Sequence, residues 1–259
     1  MRKFIRMSLL SFKAMFGWLD PKVYVLTKII DPCLQMIFYS LLVRFTFGSS
    51  DITPWIIGNA FLLSTRNAVF ATGSLLRSER FEGTLKLVIA SPGNKLSTFA
   101  ARSFISIFDA AVTVVVGLLA GIAIFHVDLS GISYFQFVLS ILTAMLGGTS
   151  LGLVIATVAL VMREIHLFLN VAAMLLFILT GASFPIERLP APARTLSCFL
   201  PVTRSIEASR IIAEKGSIEK IYILLGTEII ISFIYLFFAY FLYIYFERKA
   251  RIDASLDVY

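Results

Sequence analysis

Long apolar stretches recur along this chain so often that few water-soluble arrangements remain open to it. From about Ile29 to Phe47, Pro54 to Leu76, Ser97 to Phe125, Tyr134 to Val161, Ile165 to Ala182 and 218 to 246, charged residues are sparse. A helix crossing a bilayer needs roughly 20 mostly apolar residues. The 259 residues therefore hold about six such helices and their connections, with no room for a sizeable water-soluble domain. Apolar side chains make up 58% of the residues and charged ones 15%, against about half and a quarter in soluble domains. The expected fold is an all-α membrane protein with six transmembrane helices, one membrane domain over 25–259 preceded by an amphipathic segment over 1–24.

In that first segment Ile5, Leu9, Phe12, Phe16 and Leu19 recur on one helical stripe, with Arg2, Lys3, Arg6 and Lys13 beside it. This suits a helix lying in the headgroup plane, although a soluble amphipathic helix would show the same spacing. Lys13 interrupts the first apolar run and no small-residue cleavage site follows, so no cleavable signal peptide is expected. Pro32 is placed near the start of the first span, where a proline costs least. Residues 184–216 hold Pro185, Pro190, Pro192 and Pro201 among short apolar runs, which predicts broken or re-entrant helices near the surface rather than a straight span. The positive-inside rule puts the Arg2 to Lys28 cluster, the 77–95 connector, Arg163 and the Arg248 to Arg251 tail on the cytoplasmic side, with both termini inside.

The formal charge of +7 sits beside apolar spans, where it orients helices and meets headgroups. Nucleic acid is not an expected partner. Two cysteines, Cys33 and Cys198, are too few for a disulfide framework or a thiolate metal site. No Gly-rich loop closing on Lys-Ser or Lys-Thr occurs, so energy from a nucleotide must enter through another chain. There is no His-Glu-x-x-His helix and no Gly-x-Ser-x-Gly elbow, and His126 with Asp128 is a thin basis for catalysis. The chain is expected to be no enzyme, with no cofactor and no metal of its own.

Ionisable groups inside spans are expensive and point to function by default. Arg66 and Asp109 lie at similar depths, roughly 16 Å from the connector that joins their spans. They form either a structural salt bridge across the hairpin or part of a cargo path. Lys28 and Asp31, one turn apart, read as a snorkelling pair. Glu228 and Asn170 face a cavity or bond neighbouring helices. The Gly117 to Gly121 and Gly148 to Gly152 spacings permit close helix approach.

The connector from Arg77 to Pro92, read as a helix over about 78–91, sets Phe81, Leu85 and Val88 on one stripe and allows a Glu82 to Lys86 pair. Residue chemistry alone leaves it either an interfacial loop or a plug that docks in a partner's groove. Its Glu79 to Leu85 run, containing Glu82-Gly83-Thr84-Leu85 and closed by Ser91-Pro92, resembles the coupling-helix segment of ABC type-2 exporter permeases. A second block, Phe184-Pro185-Ile186, Leu189-Pro190, Pro201 and Glu207 to Arg210, is similar to that family's re-entrant region before its last span. Lys86 stands where the resemblance would lead one to expect an acid, a departure that bears on the matching ATPase surface.

The resemblance, which covers essentially the whole chain, implies a membrane subunit working with a second permease copy or paralogue and with cytoplasmic ABC ATPase subunits that carry ATP and Mg. It implies a bacterial inner-membrane exporter of amphipathic cargo such as a drug, antibiotic, peptide, lipid or lipid-linked glycan. Arg80, Phe81, Glu82, Gly83, Thr84 and Leu85 would couple to the ATPase, and Phe184, Pro185, Pro190 and Pro201 would form an outer gate. The rival readings are an ion-coupled secondary transporter, which needs broken helices in both halves, and a lipid-modifying membrane enzyme, which needs a catalytic cluster at interface depth.

Overall fold

The first helix opens where the chain supplies a cap. Asp20 accepts a 2.9 Å hydrogen bond on Oδ1 from the Lys22 amide, and Pro21 occupies the first helical position, where its missing donor is not needed. In the computed structural model, described for residues 20–47, 53–81, 83–84, 95–125, 132–162, 164–183 and 186–252, all regular structure is helical. In chain order the helices are α1 (Pro21–Phe47), α2 (Thr53–Gly73), α3 (Leu75–Phe81), α4 (Lys95–Phe125), α5 (Tyr134–Val158), α6 (Ile165–Leu179), α7 (Ala191–Phe199), α8 (Thr203–Ala213) and α9 (Ile218–Ile252), with a 3-10 turn at Ile186–Arg188. The expected amphipathic segment over 1–24 lies outside the described residues, apart from Asp20 and the first turn of α1.

Among the described residues four helices, α1, α4, α5 and α9, are long and apolar enough to cross a membrane. The remaining two of the expected six are α2 and α6. Helix α6 is apolar but has 15 residues, about 22 Å at helical rise, short of a ~30 Å hydrocarbon core. Helix α2 is long enough, with 21 residues, but carries Asn59, Ser64, Thr65, Arg66 and Asn67. The proline-rich stretch resolves into the 3-10 turn and the short α7 and α8, as its spacing of prolines requires. Because α1 begins at the Asp20 cap, Pro32 lies well inside it rather than near its start, and it removes the amide that the Lys28 carbonyl would receive.

Polar α2 is the centre of the bundle, touching α1, α4, α5, α6 and α8. Small residues bring its neighbours close. A β-carbon placed on Gly152 of α5 would sit 2.9 Å from Thr72 Cβ and 3.0 Å from the Val69 carbonyl oxygen. On Gly148 it would meet Thr65 Cγ2 at 3.1 Å and Ala68 Cβ at 3.2 Å. Gly121 of α4 packs on Ile56, and Gly117 lies against Met36 and Ala60. Both glycine pairs are thus true contact faces, and Ser64 joins them: its hydroxyl donates to the Ala110 carbonyl of α4 and lies 2.9 Å from Met145 Sδ of α5. Outside this core α9 packs on α5 and α8, and α1 on α4.

Helix α8 closes with two bonds, from the Gly216 amide to the Ile211 carbonyl (2.8 Å) and from the Lys215 amide to the Ile212 carbonyl (3.2 Å). Lys215 has φ of 54°, where a side chain costs about 1–2 kcal/mol. Lys215→Gly should therefore stabilise the fold by ~1 kcal/mol, read as a higher unfolding temperature in detergent. Gly152→Leu should destabilise it by about 1–3 kcal/mol or more, read as a lower unfolding temperature and loss of the monodisperse peak.

Candidate functional site

The connector after α2 is shaped by one glycine. Gly83 has φ of 71°, its amide bonds the Arg80 carbonyl at 3.1 Å, and the Thr84 amide bonds the Glu79 carbonyl at 2.9 Å. These two bonds are the six-to-one and five-to-two pair of a glycine-stopped helix. The Thr84 hydroxyl also donates to the Glu79 carboxylate, so both ends of the turn hold it. The expected helix over 78–91 is corrected here: α3 ends at Phe81, because a left-handed Gly83 cannot continue a right-handed helix. Glu82 and Leu85, with the expected Glu82 to Lys86 pair, lie outside the described residues.

Arg80 points away from this turn into the protein. Its Nη1 donates to the Ala159 carbonyl at 3.2 Å and the Met162 carbonyl at 3.3 Å. These oxygens end α5 and begin its turn toward α6, where a cation meets unsatisfied carbonyls and the negative end of the helix dipole. Arg80 thereby clips the first connector to the end of α5.

Near its middle α5 meets a second polar site. Glu228 is fully buried in α9 and accepts hydrogen bonds from the backbone amides of Val202 and, at 3.3 Å, Arg204. The carboxylate thus caps the N-terminus of α8, whose unpaired amides and dipole favour an anion. Val202 has φ of 85°, an unfavourable setting for a β-branched residue, and its bond to Glu228 holds it there. Glu228 Oε1 would lie 2.9 Å from a β-carbon on Gly147 of α5, with Pro201 Cβ at 3.2 Å. Only glycine lets α5 and α9 close around the carboxylate. Thr143 of α5 and Ser205 of α8 share a 3.0 Å hydroxyl contact alongside.

Arg210 of α8 ties three more segments. It donates from Nη2 to the Ala182 carbonyl at 2.7 Å and from Nε to the Pro54 carbonyl at 3.2 Å, and its guanidinium lies 4.6 Å from the Trp55 ring centre. Burial lowers its pKa to about 10, offset in part by Glu214, Glu187 and Glu207, so it stays charged at neutral pH. These groups border a cavity of ≈ 270 Å³. Ser197, buried in α7, donates to the Leu179 carbonyl at the end of α6. Of the expected gate residues, Pro190 precedes α7 and is exposed, Pro201 is buried beside Gly147, and Phe184 and Pro185 lie outside the described residues.

Arg66 and Asp109 do not pair with each other. Asp109 forms an ion pair with Lys28 of α1, while Arg66 donates to Gln35 Oε1 at 3.2 Å and lies 5.5 Å from the Phe70 ring centre. Equal depth does not fix azimuth, and α1, which packs on α4, brings Lys28 to Asp109 first. Lys28 is thereby also withdrawn from Asp31, which accepts from Gln35 Nε2 at 2.7 Å instead. Asn67 donates to Thr113 Oγ1 at 3.1 Å and completes a polar layer through α1, α2 and α4. Asn170 is exposed on α6. Gln35 has no place in the sequence reading, although its position one turn after Asp31 signals the bond. The sequence marks Arg210 only as the end of the Glu207 to Arg210 block, because its acceptors are backbone carbonyls that a sequence does not mark.

Removing the Glu228 carboxylate tests its capping role. Glu228→Ala should cost about 1–3 kcal/mol for each amide left unsatisfied, and Glu228→Gln less, since an amide oxygen still accepts. Unfolding temperatures should fall in the order wild type, Gln, Ala; equal values for all three would show that the carboxylate does not hold α8.

No curated protein matches this chain. The family profile described as ABC-2 type transporter matches residues 8–213, which takes in every helix from α1 to α8 and leaves α9 beyond it. That span is well over half of the chain and includes the connector, the central α2 and the broken helices. The chain belongs to the ABC-2 type transporter family and is a multi-pass membrane permease subunit of an ABC transporter.

Proposed function

We propose that this permease exports an amphipathic substrate, such as a drug, antibiotic, peptide, lipid or lipid-linked glycan, from the cytoplasm or inner leaflet of a bacterial inner membrane. Separate ATPase subunits, holding ATP and Mg, supply the energy, and two permeases, copies or paralogues, enclose the cargo path. The observation that carries this reading is the Arg80 clip: the connector available to an ATPase is fastened to a helix that runs on to the far side of the bundle.

Motion then has a defined route. ATP binding draws the ATPases together and moves the segment from Arg80 to Leu85. Arg80 passes the displacement to the end of α5. About 18 Å away along that helix, Gly147 touches Glu228, Pro201 and Val202, so a shift of α5 reaches the base of α8 and loosens the broken helices as an outer gate. Such an element with two arrangements, biased from one end, is what alternating access needs. Among the polar layer, half-buried Arg66 stands where cargo would enter between spans.

Charge supports an orientation with both termini in the cytoplasm. Arg77, Arg248 and Lys249 lie exposed at the connector end. At the far end three basic side chains are engaged, Arg210 on two carbonyls, Arg204 on the Cys198 carbonyl at 2.6 Å and Lys220 on Glu207 at 2.9 Å, while Arg44, Arg188, Arg194 and Lys215 are exposed. Side chains folded into such contacts weigh little against the positive-inside bias.

The test is ATPase activity of the permease with its candidate ATPase in lipid nanodiscs. Arg80→Ala and Gly83→Pro, the latter incompatible with φ of 71°, should leave the complex associated and lower permease-dependent activity roughly tenfold. Glu82→Ala should lower it as well. Unchanged activity in all three variants would remove the connector from the mechanism.

A further inference from the structure

Between α3, α5 and α9 lies an apolar groove of ≈ 350 Å³ that the transport route does not use. Its floor is Leu153, Ala156 and Thr157 of α5, closed at one end by Leu75 and Leu76. Its outer wall is a stripe of α9 running from Phe233 through Phe237 and Tyr240 to Tyr243. Phe233, Phe237 and Tyr240 are exposed, so the groove opens outward. At helical rise the stripe is ~15 Å long, which is half of a ~30 Å hydrocarbon core and so spans one leaflet.

The groove ends where the charge begins. Arg248 and Lys249 lie exposed within two turns beyond Tyr243 on the same helix, and exposed Arg77 follows Leu76 directly. Arg80, three residues on, touches the end of α5 just past Thr157, which places both basic groups at the same end of the bundle. Glu247 precedes Arg248, and Glu79, two residues from Arg77, is bonded to the Thr84 hydroxyl. A slot one leaflet deep, apolar along its length and basic at its mouth, matches an acyl chain below a phosphate.

We propose that this groove is a binding site for an anionic phospholipid, with one acyl chain lying along α9 and its headgroup phosphate held by Arg77, Arg248 and Lys249. The inference goes beyond the transport reading and rests on α9 crossing the bilayer. With the orientation given above, the leaflet is the cytoplasmic one, whose anionic lipids attract such basic segments. A second copy of the chain suits the groove less well. A symmetric contact sets the same patch against itself, which would bring the two basic mouths together.

A diazirine-bearing phosphatidylglycerol, added at a few equivalents to the purified chain in detergent, tests this without a variant. Crosslinks should map to 153–157 and 233–243, and unlabelled phosphatidylglycerol should compete at severalfold lower concentration than phosphatidylcholine. Arg248→Gln combined with Lys249→Gln should abolish that difference, and Ala239→Phe should reduce labelling. Labelling spread evenly over the outer faces of α1, α4 and α9, or equal competition by both lipids in the wild type, would overturn the proposal. So would a disulfide between two copies through Phe237→Cys in native membranes, which would assign the groove to protein. Because the labelling needs neither nucleotide nor ATPase, its failure leaves the transport reading standing, and unresponsive Arg80 variants would leave the lipid site standing.

Discussion

Helices in a bilayer gain little from hiding apolar surface, since the lipid is as apolar as the partner. Association then depends on how closely backbones approach and on hydrogen bonds made across the contact. The whole arrangement turns on α2, which satisfies both conditions. Gly117 and Gly121 on one side, and Gly148 and Gly152 on the other, let α4 and α5 close upon it. Ser64 binds groups from both neighbours. Helix α2 can carry Asn59, Arg66 and Asn67 because it is enclosed, and it is enclosed because the neighbouring glycines leave room.

From that packing α5 emerges as the element that touches everything of consequence. It leans on α2 along the Gly148 and Gly152 face, receives Arg80 at one end, and meets Glu228 and Pro201 near Gly147. One of these contacts is at the helix terminus and the other near its middle. The polar residues at the two sites behave differently. Arg80 lies near the bundle edge and uses a helix terminus that already seeks a cation. Glu228 is wholly enclosed, and it is tolerable there because the start of α8 presents amides to it.

Most of the helical layout was legible in the residues, for a physical reason: charges and prolines bracket the apolar windows. The starts at Tyr134, Ile165 and Ile218 and the end at Phe125 fell where the pattern put them. What was lost concerns direction around a helix and backbone conformation. The Asp20-Pro21 cap is readable, but the amphipathic stripe over 1–24 runs across it, so the pattern alone puts Pro32 at a helix edge. Arg66 and Asp109 share a depth, yet Lys28 reaches the carboxylate because α1 packs on α4. Gly83 had an obvious place in a motif, while its left-handed conformation, which ends α3, emerges only with the backbone. The inward turn of Arg80 had no signal at all, as its partners are main-chain oxygens.

That last point has a bearing on how such a protein can diverge. Arg80 binds the carbonyls of Ala159 and Met162, Arg210 those of Pro54 and Ala182, Arg204 that of Cys198, and Ser197 that of Leu179. A carbonyl is present whatever side chain the residue bears. Each fastening therefore constrains one position and leaves its mate free to drift. The turn after α5 can accumulate substitutions, and with them a new surface, while the joint to the connector stays intact. Pairwise covariation, which depends on two side chains answering each other, would be blind to these joints.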